Sequence, residues 1–309
     1  MAGVITASEP SWTAPFTGLS PRIFGKLVNQ LRREGAGAPG RGRPWRLPLS
    51  DRVLLVIAYW RTNLTLRQLA PLFGVSKSAA DRVIGHLGPK LALSPWRRFR
   101  KDAVLIVDGT LVPTRDHSVA EQSKNDRYST NHQVVIDADS RLAVVVGRPL
   151  PGNRNDCRAW AESGAKGAVG KTVTIADGGY RGTGLVIPHR RSTVEELPAW
   201  KQAHNKSHKQ VRARVEHVFA PMKTWKILRD CRLRGDGVHH AMRGIARLHN
   251  LNLAGQANRP PRGRSHELPM NESAHAGPEV TSSACGPASL RGQRPRRRRP
   301  ARGGRACRD

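Results

Sequence analysis

Two periodicities divide the chain. Up to about residue 95, apolar positions recur at helical spacing; from Asp102 onward they come in short runs or alternate at strand spacing. Ser20-Pro21 reads as an N-cap followed by proline at the first helical position, and the helix runs to about Arg33 with Ile23, Leu27 and Leu31 on one face. Leu49 to His86 is the most helical stretch. Ser50 is expected to cap a helix carrying Val53, Leu54, Ile57 and Ala58, and Thr65 a short helix, LRQLAPLF. Gly74-Val75-Ser76 makes a tight turn into KSAADRVIGHL, which Gly88 and Pro89 should end. Small Ala70, turn Gly74 and apolar Val83 fit a helix-turn-helix, where close crossing demands a small residue and the turn a glycine. An ordinary three-helix bundle fits the same pattern.

Beyond Asp102, AVLIVD is a strand, HQVVIDADSRLAVVVGRPL two strands joined at a DADS turn, KTVTIAD a fourth strand and GLVIPH a fifth. Asn155 to Ser163, Glu195 to Gln202, Lys209 to Leu228 and Val238 to Leu253 are helical. The fold class is therefore α/β: a mixed sheet flanked by helices, preceded by an all-α segment. The expected organisation is a loosely ordered 1–19, a helical DNA-binding domain over 20–95, a sheet domain over 102–254 and a disordered tail over 255–309. Pro, Gly, Ser and Arg dominate that tail, which cannot bury enough apolar surface to offset its ordering entropy.

Charge narrows the partner. The 309 residues carry 53 Lys and Arg against 23 Asp and Glu, a net of +30. The tail, with 12 Arg and 4 acids, accounts for the smaller part, so the folded region is itself basic and a polyanion, DNA above all, is the expected partner. Ser76, Lys77, Ser78 and Arg82 would face DNA if the second helix of the pair enters the major groove. Arg41-Gly42-Arg43-Pro44 is similar to the AT-hook, whose arginines, here Arg41 and Arg43, lie in a narrow minor groove; a plain basic linker reads the same way. Cys157, Cys231, Cys285 and Cys307 show no CxxC spacing, which argues against a zinc site or disulfide framework and for a reduced, cytoplasmic, nucleoid-associated protein. No signal peptide is visible, and the longest apolar run, Val53 to Trp60, is too short to cross a bilayer.

The candidate chemistry lies in carboxylates that end apolar strands. Asp108 closes AVLIVDGT, and Asp177 closes KTVTIADGGY. Glu216 stands in the helical RARVEHVF. Taken singly, each Asp could be a turn residue bonding nearby backbone N–H groups. Together, two strand-end aspartates and a helical glutamate are what a two-metal phosphodiester site requires, with two Mg²⁺ (or Mn²⁺) ions as cofactors. Without metal the three should repel, raising at least one pKa. Asp156, in GNRNDCRAW, is expected to cap the helix that follows, or else to support the metal ligands from behind.

VDGT, ADGGY and RARVEH…K resemble the DDE transposases of bacterial insertion sequences, nearest to the insertion-sequence-five family and its Harbinger-related nuclease domain. The resemblance covers about residues 20–254. Asp177, Gly179 and Tyr180 match the family's D-x-G-[FY]; Arg212, Glu216 and Lys223 match its third block, where Lys209 replaces a tyrosine. It implies an RNase H-like fold and catalytic, metal-holding roles for Asp108, Asp177 and Glu216. It also implies phosphate contacts from Arg212 and Lys223, and a homo-oligomer assembled on double-stranded DNA, element ends and target alike. Pro221 should kink the helix between Glu216 and Lys223. The implied function is binding of terminal inverted repeats, strand cleavage and strand transfer. An inactive DNA-binding regulator, or an endonuclease that cuts without joining, are the alternatives.

Overall fold

The computed structural model describes residues 4–38, 44–123, 127–190 and 196–257. The AT-hook-like Arg41 and Arg43, and the tail from residue 258, lie outside the described residues. A 3-10 turn at Pro10–Trp12 leads into α1 (Thr13–Thr17), α2 (Pro21–Arg33), α3 (Leu49–Thr62), α4 (Leu66–Leu72) and α5 (Lys77–Leu91). The sheet region holds β1 (Val104–Pro113), β2 (Glu121–Gln122), β3 (Tyr128–Asp137), β4 (Ala143–Val146), β5 (Leu150–Pro151) and β6 (Val173–Ile175). Helices α6 (Asp156–Glu162) and α7 (Ala165–Val169) precede β6; α8 (Ala199–Lys223) and α9 (Gly237–Ala257) follow it.

Helix α3 is the hub of the helical part. From Val53 to Trp60 every side chain is buried, which explains why its apolar run shows so little of one-faced periodicity. It begins two residues earlier than expected, after Pro48, so Ser50 lies inside the first turn rather than at the cap. Thr65 does start α4, its N–H donating to Gln68 Oε1 at 3.1 Å. Ser76 starts α5, its hydroxyl accepting from the Ala79 N–H at 3.2 Å. Between them Gly74 takes φ 64°, a left-handed turn that a side chain would strain, while Ala70 and Val83 are buried. Helix α5 continues through Pro89 to Leu91, because proline near a helix end forfeits little hydrogen bonding.

Residues 4–19 correct the expectation of a loose N-terminus. The Asp51 carboxylate accepts from the Ala7 N–H at 2.6 Å, Ile5 donates to Leu72 O at 2.9 Å, and Ile5 and Leu19 are buried in the core. These anchors come from α3 and α4, distant in sequence, so no local periodicity announces them.

The sheet has β3 at its centre. β3 pairs antiparallel with β1 over Leu105–Pro113, and with β2, β4 and β5 along its other edge. β6 joins β1 in parallel, and Val186 adds a parallel bridge to Ile175 beyond it. Three antiparallel strands followed by parallel additions on the β1 side make the RNase H-like arrangement. The DADS turn joins β3 to β4 as read from the sequence, but the expected fifth strand is reduced to that single bridge. Side chains of β1 alternate. Leu105 and Val107 pack with Trp160 and Val169 of α6 and α7, while Ile106 and Val112 join the larger core with α8 and α9.

Helix α8 begins at Ala199 and is unbroken to Lys223, one helix where the sequence suggests two. Pro221 sits in its last turn, where the lost bond is one of few, so Lys223 keeps its place with Nζ 5.4 Å from the Phe219 ring. Helix α9 closes the structure against α3 and α5. Gly244 faces Trp60, and a β carbon there would collide with the indole ring. Helices and sheet consequently share one core, and Met1–Pro260 clusters as one compact unit. Among the described residues no helix is long and apolar enough to cross a membrane.

Candidate active site

Asp108 lies on β1 directly opposite Val134 of β3, on the sheet face turned towards α8. Asp177 follows the end of β6, the parallel neighbour of β1, whereas Asp108 lies in the middle of β1, which continues to Pro113 instead of ending at the aspartate as the sequence suggests. Arg212 reaches between them from α8: its Nη2 stands 3.4 Å from Asp108 Oδ2 and 3.6 Å from Asp177 Oδ2. Glu216 is exposed, one turn further along the same helix face. Local backbone fixes both aspartates. The Gly109 N–H donates to Asp108 Oδ1 at 3.0 Å, and the Gly179 N–H to Asp177 Oδ1 at 2.8 Å.

The electrostatics agree with the repulsion expected from the sequence. The Asp108 carboxyl is raised to about 6. Burial is the main cause, Arg212 opposes it, and the charges of Asp177 and Glu216 add to it. Arg212 thus turns inward to the carboxylates, where the family resemblance implies that it faces DNA phosphates. Among the described residues no group of three His, Cys, Asp or Glu side chains is gathered closely enough to enclose a metal ion as they stand. The residues nevertheless fit a hard divalent cation. Every donor is a carboxylate oxygen, the Asp108 site resists carrying charge alone, and a guanidinium already occupies the space between two of the acids.

Of the two roles expected for Asp156, the cap falls to another residue. Asn155 is the N-cap of α6, its Oδ1 accepting from the Arg158 N–H at 2.9 Å, because Asn155 is the residue with extended φ/ψ and Asp156 is already in the helix. The Asp156 carboxylate is instead held by Asn131 Nδ2 at 3.2 Å and Gln133 Nε2 at 3.4 Å. It lies under Gly109, where a β carbon would run into its Oδ1, on the face of β1 opposite to that of Asp108. Tyr180 completes this layer, donating its hydroxyl to Gln133 Oε1 at 2.5 Å. Asn131 and Gln133 are not among the residues the sequence singles out. Their signal is an uninterrupted polar run, Thr130 to Gln133, in a strand buried along that length. Buried polar residues persist when they are paired, and here what they pair with lies beneath the carboxylate cluster.

The remaining sequence candidates divide by position. Ser76, Lys77, Ser78 and Arg82 are all exposed on α5, though the Ser76 hydroxyl serves as a cap. Lys223 is exposed on α8, and so are Lys206 and Lys209, while His208 is buried with Nε2 3.2 Å from Val186 O.

Residues 45–95 match the family described as helix-turn-helix of DDE superfamily endonuclease, and residues 99–251 the transposase DDE domain. The chain is 81% identical over 256 residues, covering 82% of this chain and all of the relative, to the putative transposase for insertion sequence element IS112 of Streptomyces albus G. It is 24% identical over 231 residues to the probable transposase for insertion sequence element IS702 of Microchaete diplosiphon, covering 69% and 83% of the two chains. A solved piggyBac transposase synaptic complex with hairpin DNA aligns with a TM-score of 0.41 at 10% identity, over 80% of this chain and 74% of the other. With a helix-turn-helix ahead of a DDE domain, and four-fifths of its residues shared over the whole of one such relative, the chain belongs to the DDE transposases of insertion sequences.

Proposed function

We propose that the protein binds the terminal inverted repeats of its own element through α5 and cuts and rejoins DNA strands at Asp108, Asp177 and Glu216. The observation that carries this is the shared Arg212 bridge between Asp108 and Asp177 with Glu216 one turn away, three carboxylates at one mouth of the sheet in a chain of this family. Asp108, Asp177 and Glu216 are the residues that would hold two divalent ions, Mg²⁺ or Mn²⁺. When bound, such a pair polarises the phosphoryl group, activates the attacking water or 3′-hydroxyl and neutralises the leaving oxygen.

The chain's own residues supply the rest. Asp108 is fixed by the Gly109 N–H and partly buried beside Arg212, so it would hold a divalent ion with one oxygen already oriented by the backbone. Arg212, on leaving, has a flexible reach to a strand phosphate. Asp156 supports the floor through Asn131 and Gln133 without joining the ligand set. Ser78, Lys77 and Arg82 offer donors for the major groove, and Arg41 and Arg43 for the minor groove. The active form is a homo-oligomer on paired ends, working in the cytoplasm at the nucleoid.

The test is a cleavage and joining assay with DNA carrying the ends of the encoding element, in Mg²⁺, in Mn²⁺ and in EDTA. Metal-dependent nicking at the ends, followed by joined products, is expected. Asp108→Ala should abolish both while leaving end binding intact. Nicking that survives Asp108→Ala refutes the site; nicks without joined products reduce the protein to an endonuclease; binding without nicking reduces it to a regulator.

A further inference from the structure

The elements that carry Asp108 and Glu216 continue past them. Thr110 and Val112 follow Asp108 on the same face of β1, and Phe219, Met222 and Lys223 follow Glu216 at helical spacing on α8. Together they enclose a cavity of about 420 Å³ with an apolar floor, rimmed by Arg127, Lys223 and Arg229, and none of the residues lining it is acidic. A second hollow of about 360 Å³ continues from it, sharing Pro113, Arg127 and Arg229. At its far side His117 and Tyr128 are stacked with ring centroids 3.9 Å apart and planes 9° from parallel. Tyr128 is 42% exposed, so its ring is accessible to a ligand in the hollow. The one acid there, Asp230, is already engaged by Arg115 at 2.8 and 2.6 Å.

We propose that this crevice is a binding track for unpaired DNA, leading a strand away from the carboxylates towards the His117–Tyr128 stack. Duplex DNA has no use for an apolar floor or an exposed ring, since its bases are already stacked and paired. A single strand uses both: one base against the floor, another on Tyr128, and the linking phosphates on Arg127 and Arg229. From Asp108 to Pro113 the strand β1 spans roughly 17 Å, room for a few nucleotides. The proposal rests on the nucleic-acid reading of the site and adds to it that the ends are opened, not only gripped.

The test is fluorescence anisotropy of the full chain with a labelled short oligodeoxythymidylate and, separately, with a labelled duplex, both in EDTA. Tyr128→Ala should weaken oligothymidylate binding by about tenfold, the scale of one lost base–aromatic stack. Tyr128→Phe should retain the parent affinity, because the ring and not the hydroxyl carries the contact. Arg127→Ala with Arg229→Ala should weaken it further and flatten its salt dependence. Duplex binding, governed by α5, should move far less in all three. Tyr128 and both arginines are exposed, and an unchanged thermal midpoint confirms folding. Unaltered oligothymidylate affinity in Tyr128→Ala, a Phe variant as weak as the Ala variant, or parallel losses for duplex and single strand each overturn the proposal. A parent chain that binds neither DNA overturns the nucleic-acid reading itself.

Discussion

Replacing Gly109 with alanine tests whether Asp156 and the carboxylate cluster are built as one unit. A β carbon at 109 would overlap Asp156 Oδ1 and stand 2.9 Å from Gln133 Nε2 and 3.2 Å from Asp156 Cγ. The aspartate cannot swing aside freely, because Asn131 and Gln133 both donate to that same oxygen. Relief requires either breaking these bonds to a charged acceptor, at about 1.5–3 kcal/mol each, or displacing β1, an overpacking penalty of about 1–3 kcal/mol. The net expectation is a loss of about 2–3 kcal/mol. In an Asp156→Ala background the nearest clash disappears, and alanine in a strand recovers about 0.5–1 kcal/mol over glycine, so the second substitution should be almost neutral. Urea unfolding of the parent, both single variants and the double variant closes the cycle, with a coupling of about 2 kcal/mol expected. Additive penalties would show that Asp156 does not occupy the space beneath Gly109, and the account of that layer would fail.

The Asp108 carboxyl, raised from 3.8 to about 6, binds its proton more tightly in the folded state, so its contribution to stability is full below 3.8 and is lost as pH rises through about 6. In EDTA, Asp108→Asn should therefore gain about 2 kcal/mol relative to the parent between about pH 4.5 and about pH 7.5, measured by urea unfolding at both; an unchanged difference refutes the burial argument. Adding Mg²⁺ at the higher pH should stabilise the parent and leave the Asn variant where it was. Gly244→Ala should destabilise by about 1–3 kcal/mol despite a better helix former, because its β carbon meets the Trp60 ring; a raised thermal midpoint would show that α3 and α9 are not in that contact.

How much of the fold and the site is legible in the sequence depends on whether the partners of a residue lie nearby in the chain. For caps and turns they do: Ser20, Thr65, Gly74 and Ser76 are where spacing puts them, since each acts on its own next turn. Asp177 also declares itself, as a carboxylate just past the end of β6, but Asp108 does not end its strand: β1 runs on to Pro113 because β3 pairs with it along that length. The arrangement of 4–19 is not legible, because Asp51 and Leu72 hold it from across the core. Asp156 is hidden for a related reason. Its neighbour Asn155 satisfies the helix start, and the groups that bind Asp156 sit in β3. Arg212 can be placed on the right helix face, but whether it points to phosphate or to Asp108 and Asp177 depends on how α8 lies over β1.

The fit of Gly244 to Trp60 has a consequence for how such genes can recombine. The helix-turn-helix part is completed by a helix of the DDE part, so a crossover at the helix-to-sheet boundary would bring together an α3 and an α9 that were never matched. Exchange of the helical part between such genes is then constrained to carry both helices along, and the exposed face of α5 is freer to change than the contact between α3 and α9.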